Sequence, residues 1–284
     1  MLYIILALTS STLIFVTFKL FERNKIHIFQ AIIFNYIVAT LLGFTISSGE
    51  IPIVEIPNQP WFYNALIIGM CFIVGFYLFA LSTQKIGITI TAIASKISVI
   101  IPVTLGVILY SEIMTWLKLT GIVFALIAFY LTLKKQSVFD FDKRFIFLPI
   151  LLILFTGTND SLMKFTEHYH GVSQSLYFVS TIFFSAMIIG ISILLFNILK
   201  FKTKIRIRNI IAGVILGILN FISTYYFYLS LSLFDSIVFF PIFNVGFVIM
   251  STIVGFFIFK EKLNWINWCG IILSMVAILF IALA

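Results

Sequence analysis

Two charged side chains lie inside stretches of the sequence that are otherwise apolar, and their types are suited to binding an ionic ligand. Lys96 lies in AIASKISVIIP, and Asp160 lies in FTGTNDSLMKF directly after Asn159. If these stretches cross a membrane, a charge there costs about 3 kcal/mol and normally faces a protein cavity with a partner. Lys96 is therefore either a structural lysine that snorkels or pairs permanently, or a cation that attracts an anionic group of a cargo.

Asp160 has two candidate partners. Lys164 follows it by four residues and so lies on the same helical face, where the two side chains could pair. Asp160 could instead meet Lys96 across a cavity, and the sequence leaves both alternatives open. Protons could couple to such a site through Lys96 or Asp160, because a dry environment changes how readily each group ionises.

Further polar and aromatic residues lie in the other apolar stretches and could shape the same site. For the tyrosines, packing or an interfacial position is the alternative role. The candidate substrate-binding residues are Lys96, Asp160, Asn159, Tyr77, Asn220, Tyr225, Tyr226 and Asn244. No cofactor or metal site is predicted, and the two cysteines, each within an apolar stretch, do not indicate a disulfide framework.

The composition predicts an all-α integral membrane protein. Of the 284 residues 62% are hydrophobic and only 10% are charged, whereas soluble domains carry about 25% charged residues. Mean hydropathy is +1.20. A helix needs about 20 apolar residues to cross a bilayer, and the chain offers ten such runs. The predicted transmembrane helices cover residues 2–20, 28–46, 63–82, 88–110, 117–133, 146–165, 174–198, 209–231, 237–259 and 265–283.

The positive charge is distributed between loops in a way that indicates a membrane rather than nucleic acid. Net charge is +8, and 15 of the 18 basic residues fall in every second loop. By the positive-inside rule these loops are cytoplasmic, which would place both termini outside. The most basic loop, NILKFKTKIRIRN, alternates positive and apolar residues and suits a surface of anionic lipids. The expected partners are thus the lipid bilayer and a small-molecule substrate.

A pattern of glycine, glutamate and tryptophan occurs twice, 149 positions apart. It is formed by Gly106, Glu112, Trp116 and Gly121, and again by Gly255, Glu261, Trp265 and Gly270. The spacing predicts an internal duplication with five-helix repeats at residues 1–137 and 138–284. Because five is odd, the second repeat enters the membrane from the opposite side. This predicts two inverted repeats around a central cavity.

The turns inside the pattern also predict how the helices begin. Thr115 and Asn264 are expected to be N-caps of the helices that follow them. Glu112 and Glu261 are expected to have a structural role, satisfying backbone amides at a positive helix start. Pro102 should kink the fourth predicted span, and Ser251 takes its place in the second repeat, 149 positions later.

The repeated pattern G-x5-E-x3-W-x4-G resembles the EamA-type domain, two of which form members of the drug/metabolite transporter superfamily. The resemblance covers essentially the whole chain. It implies ten helices, a central cavity and the carriage or export of small metabolites such as amino acids. Relatives commonly keep their termini in the cytoplasm, opposite to the orientation that the loop charges predict.

We therefore expect a secondary transporter, a metabolite exporter of the plasma membrane that works by alternating access, and not an enzyme. The absence of a G-x4-G-K-[ST] sequence argues against pumping driven by nucleotide hydrolysis. A flippase for lipid-linked or amphipathic cargo is the alternative, since the fold alone does not exclude it. An integral-membrane enzyme is less favoured, because the 3 histidines and 10 acidic residues are mostly scattered in loops.

Overall fold

The computed structural model describes residues 2–47, 49, 51–85, 88–133, 143–171, 173–201, 205–260 and 263–284. Within these ranges the chain forms eleven α-helices and two short 3-10 helices, Ile53–Asn58 and Lys143–Phe145. The α-helices are α1 (Leu2–Arg23), α2 (Ile28–Ile46), α3 (Phe62–Lys85), α4 (Ile88–Ile97), α5 (Ile100–Tyr110), α6 (Trp116–Leu133), α7 (Phe147–His170), α8 (Ser175–Phe201), α9 (Ile207–Leu231), α10 (Ser236–Phe259) and α11 (Trp265–Ala282).

Nine helical segments in the described ranges are long and apolar enough to cross a membrane, with α4 and α5 counted as one segment, Ile90–Tyr110. The helix α7 is also long, at 24 residues, but it carries the charged residues Asp160, Lys164 and Glu167. The observed helices overlap all ten predicted spans. The chain is thus a multi-pass membrane protein.

The fourth predicted span is broken at Ser98 and Val99, between α4 and α5. Pro102 has no amide hydrogen, so it cannot donate to the carbonyl of Ser98, and its ring would clash with that carbonyl in a continuous helix. The amide of Ile101 donates a hydrogen bond to this carbonyl instead, at 3.0 Å. Regular α-helical bonding is therefore interrupted at the predicted kink, although Val99 keeps helical dihedral angles and its carbonyl accepts from the Val103 amide at 3.2 Å. Pro102 falls in the first turn of α5.

The residues that end α5 and α10 have the same backbone geometry, as the sequence repeat predicts. Ser111 and Lys260 end these helices in the left-handed region, with φ of 54° and 56°. The predicted caps are also confirmed. Thr115 Oγ1 accepts a hydrogen bond from the Lys118 amide at 3.2 Å, and the Asn264 side chain forms a capping box at the start of α11.

The described helices group into two compact units, and each unit combines parts of both sequence halves. Unit 1 comprises Met1–Ile73 and Phe165–Ser232, and unit 2 comprises Val74–Lys164 and Leu233–Ala284. A compact unit built from two distant segments depends on contacts between the sequence halves.

In unit 1, α2 and α8 pack closely and run antiparallel. A Cβ atom on Gly43, near the end of α2, would overlap the side chain of Ser180 near the start of α8. A Cβ on Gly190, later in α8, would lie 3.3 Å from Cγ1 of Ile33, early in α2. Small residues at these crossings let the backbones approach, which is how membrane helices gain packing energy.

In unit 2, α6 and α11 form a second antiparallel pair. A Cβ on Gly121, early in α6, would lie 2.7 Å from Cγ1 of Ile281 at the end of α11. A Cβ on Gly270, early in α11, would overlap Thr132 at the end of α6. Asn267 Nδ2 donates to the carbonyl of Thr132 at 2.9 Å, which satisfies one of the orphan carbonyls at the α6 terminus. Gly121 and Gly270 of the repeated pattern thus serve helix packing.

Candidate functional site

Lys96 lies in the last turn of α4, directly before the helix break, and its ammonium is held by α10. Its Nζ donates to Oδ1 of Asn244 at 3.0 Å and lies 4.2 Å from the ring centroid of Phe247. Asn244 Nδ2 donates to the carbonyl of Phe240 at 3.0 Å. That second bond orients the amide, so its oxygen is directed at the ammonium.

Asp160 is brought towards Lys96 by a close approach of α7 to α5. A Cβ on Gly157 would lie 2.5 Å from Cδ1 of Ile101, the second residue of α5. One helical turn after Gly157, Asp160 interacts electrostatically with Lys96. Of the two partners predicted for Asp160, the structure favours Lys96.

The two charges are near each other but not in contact. Among the described residues, Lys96 and Asp160 form no N–O contact within 4.0 Å, and no side chain there donates a hydrogen bond to the Asp160 carboxylate. Lys96 and Asp160 are both half-buried residues. A carboxylate has about four acceptor positions, so Asp160 can still accept hydrogen bonds from a ligand.

Lys164 has a different local environment from Lys96. It is only 7% exposed, and its Nζ donates to the carbonyl of Phe234 at 3.3 Å, in the turn before α10. A buried ammonium needs hydrogen-bond acceptors, and the Phe234 carbonyl supplies one. The contact supports a structural role for Lys164.

Two other predicted site residues also belong to unit 2. Asn159 precedes Asp160, and its Oδ1 is buried without a hydrogen-bond partner among the described residues. An unsatisfied buried amide oxygen is costly and marks a position where a donor from a ligand or water would be stabilised. Tyr77 on α3 is 62% exposed.

Glu112 binds the start of α10 with both carboxylate oxygens. They accept hydrogen bonds from the amides of Ser236 at 2.7 Å and Ile237 at 2.8 Å. Gly106 makes room for this contact, since a Cβ there would lie 2.6 Å from Oε2 of Glu112. The predicted capping role is confirmed for Glu112, but the capped helix is α10 and not the next helix in sequence. Glu261 lies outside the described residues.

The three remaining predicted residues, Asn220, Tyr225 and Tyr226, lie on α9 in unit 1. Asn220 Nδ2 donates to Oδ1 of Asn35 at 3.1 Å. The ring of Tyr226 stacks on Tyr3 with centroids 5.9 Å apart, and it lies 5.4 Å from the ring of Tyr225. These residues form a polar and aromatic cluster inside unit 1.

Sequence analysis missed two partners in these clusters. Asn35 was visible as an amide inside an apolar span, which is a costly position without a partner. Nothing in the sequence marked Phe247 as a partner of Lys96. The chain contains 34 phenylalanines, and the sequence does not show which of them lies close to the lysine. Its position three residues after Asn244 places it on the same helical face.

The arrangement in unit 2 suits ionic binding rather than metal chemistry. The ammonium of Lys96 and the carboxylate of Asp160, which belong to half-buried residues, lie near an amide whose orientation is set by its own helix. Within the described ranges, no group of three or more histidine, cysteine, aspartate or glutamate residues could hold a metal ion.

Known proteins resemble this chain over nearly its whole length. An uncharacterised protein of Haemophilus influenzae is 26% identical over 289 residues, covering 97% of this chain and 95% of that protein. A solved crystal structure superposes with a TM-score of 0.78 at 12% identity, covering 99% of this chain and 98% of the other. That likeness concerns the fold alone. The EamA-like transporter family matches residues 1–134 and again residues 143–283. The chain therefore belongs to the EamA-like transporter family, and this membership points to a membrane transporter of small molecules.

Proposed function

We propose that the chain is a secondary transporter that exports small polar metabolites, such as amino acids, across the plasma membrane by alternating access. The observation that carries the proposal is the separated pair of Lys96 and Asp160, with Asn244 holding the ammonium at 3.0 Å. A permanently joined ion pair would satisfy both charges internally. A separated pair leaves acceptor positions on the carboxylate for a ligand.

The chemistry of the pair suits a cargo with both a positive and a negative group. The cargo carboxylate would bind the Lys96 ammonium, and the cargo ammonium would bind the Asp160 carboxylate. Each such bond is charge-assisted and contributes about 1.5–3 kcal/mol. Asn159, whose buried Oδ1 has no partner among the described residues, would accept a further donor. Tyr77 is included in the proposed site from the sequence alone.

The interruption between α4 and α5 supports a binding site at this depth. Transporters commonly form substrate and ion sites from discontinuous helices near the midplane, where helix ends present unpaired backbone groups. Lys96 lies in the last turn before the interruption. A broken helix beside a charged residue is thus more consistent with binding than with simple packing.

We further propose ten spans arranged as two inverted repeats, residues 1–137 and 138–284. Helices related by the 149-residue shift run antiparallel in both units: α2 with α8, and α6 with α11. Lys96 contacts Asn244, the neighbour of its own repeat mate Val245. Contact between equivalent positions is expected close to a two-fold axis, which supports a site where the repeats meet.

A ligand-induced thermal shift tests the function directly. Purified protein is screened against amino acids and related metabolites, because a cargo that binds the folded state raises its melting temperature. Lys96→Met should weaken binding of the best ligand by roughly 10–100-fold, as expected for losing a charge-assisted contact. Lys118→Met removes the same charge from the start of α6, where Nζ bonds to the Ile113 carbonyl, and should retain the ligand shift.

Uptake of the same ligand into proteoliposomes then distinguishes transport from binding. Saturable transport that is lost in Lys96→Met supports the proposal. An unchanged ligand shift in Lys96→Met would remove Lys96 from the site. Shifts caused only by lipids with long acyl chains would favour the flippase alternative.

A further inference from the structure

Two basic segments that are far apart in sequence are joined in unit 1 by one buried side chain. Asn209, which is 2% exposed, lies in the first turn of α9. Its Oδ1 accepts a hydrogen bond from the backbone amide of His27 at 3.2 Å, and its Nδ2 donates to Oε1 of Gln30 at 2.6 Å. The turn between α1 and α2 is therefore held against the start of α9.

This junction brings together four exposed cations, which we call the basic rim. The basic rim consists of Arg23, Lys25, Arg206 and Arg208. Among the described residues, none of the four forms an ion pair or a side-chain hydrogen bond. Like charges gathered without internal partners repel one another, so an external anion would stabilise the rim.

Exposed isoleucines lie between and beside these cations. Ile205 is 43% exposed, Ile207 71% and Ile28 41%. Ile28 begins α2 and Ile207 begins α9, both of which are long and apolar enough to span a membrane. The basic rim therefore lies where a span starts, at the depth of lipid headgroups, with apolar side chains available to the hydrocarbon beneath.

We propose that the basic rim is a binding site for anionic phospholipids. The arginines and Lys25 would contact headgroup phosphates, and Ile205 and Ile207 would contact the acyl chains of the same lipids. A soluble phosphate would use only the charges and leave the isoleucines in water, which is why a lipid is the better occupant. This inference does not depend on the cargo or on the direction of transport.

The test compares lipids that differ in charge. The full chain, purified in a neutral detergent, is titrated with phosphatidylglycerol or phosphatidylcholine while its melting temperature is followed. Phosphatidylglycerol should raise the melting temperature and phosphatidylcholine should not. Each cation near an anionic surface strengthens binding about fivefold, so Arg206→Gln with Arg208→Gln should raise the half-saturating phosphatidylglycerol concentration roughly 25-fold.

Matched variants separate the site from general charge effects. Lys85→Gln with Lys260→Gln removes two cations from unit 2 and should leave the phosphatidylglycerol response within about twofold of wild type, since neither residue belongs to the basic rim. Arg206→Lys with Arg208→Lys should retain most of the response. The proposal is overturned if Arg206→Gln with Arg208→Gln responds as wild type does, or if the unit 2 variant loses as much. It is also overturned if inorganic phosphate alone reproduces the effect.

Discussion

The helix formed by α4 and α5 and the helix α10 occupy equivalent positions in the two sequence repeats, yet only the first is broken. In the first repeat, regular α-helical hydrogen bonding lapses at Ser98 and Val99, although Val99 keeps right-handed helical dihedral angles. In the second, α10 continues for 24 residues, although it contains Pro241. The two helices differ because of single residue differences between otherwise similar sequence repeats.

Pro102 and Ser251 occupy the same repeat position, and they account for the difference. A proline inside a helix removes one hydrogen bond and clashes with the carbonyl four residues earlier. Ser251 keeps its amide, and its Oγ donates to the carbonyl of Val248 at 3.1 Å, so α10 continues through it. Pro241 lies only six residues into α10, where fewer backbone bonds depend on it.

The comparison teaches that two copies of one pattern can take complementary roles. The broken copy contributes Lys96 beside a helix end. The continuous copy contributes Asn244 from a helix whose start is held by Glu112 at 2.7 and 2.8 Å. Val245, the repeat mate of Lys96, is fully buried at 0% exposure. A charge in one copy is thus matched by an apolar residue in the other.

The largest loss of stability is expected from placing a proline in α10 at the position that Pro102 occupies in the first repeat. Ser251→Pro should lower the free energy of unfolding by about 3 kcal/mol, because it removes a backbone hydrogen bond and inserts a clash in mid-helix. Reversible unfolding in mixed micelles titrated with sodium dodecyl sulfate measures the change. Ser251→Ala keeps the amide and serves as the control. A loss below about 1 kcal/mol would show that α10 tolerates the proline and that Pro102 is not sufficient to explain the break.

A smaller effect is expected from separating Glu112 from the start of α10. Gly106→Ala would place a Cβ 2.6 Å from Oε2 of Glu112 and 2.8 Å from Cβ of Ser236. The displaced carboxylate would lose charge-assisted bonds, which should cost about 2 kcal/mol in the same unfolding titration. Gly75→Ala is the matched control, since a Cβ on Gly75 meets nothing within 4 Å. Equal stability of the two variants would contradict a specific role for the Glu112 contact.

The smallest effect is expected from restoring an amide to the broken helix. Pro102→Ala should raise the free energy of unfolding by about 0.5–1 kcal/mol, because residue 102 regains a donor and the clash with Ser98 disappears. Unfolding titration again provides the measurement. A decrease of more than about 1 kcal/mol would instead show that packing of Ile101 on Gly157 requires the interruption.

Much of the fold could be predicted because its signals are local. Apolar runs of about 20 residues indicate membrane helices, and Thr115 and Asn264 mark helix starts by residue type alone. Lys96 and Asp160 could be singled out because a charge in such a run is costly. Their proximity could not be predicted, since it depends on the approach of α7 to α5 at Gly157 and Ile101.

Contacts between distant segments were the part that sequence analysis could not supply. Glu112 was predicted to satisfy backbone amides, but the helix that it caps begins 124 residues later, at Ser236. Asn209 was not singled out, although it joins two basic turns. In both cases the residue type indicates that the side chain needs hydrogen-bond partners. Many groups in the chain could serve as those partners, so the sequence does not identify them.

The sequence alone determined that this chain spans a membrane, that it is duplicated, and which charges are costly, because these properties depend on composition and on spacing along the chain. The tertiary structure decided which helix ends meet, that Asp160 lies within electrostatic range of Lys96, and that Lys96 is held by an amide and an aromatic ring. These outcomes depend on how closely small residues allow helices to approach, and such distances are set by packing between segments far apart in the sequence.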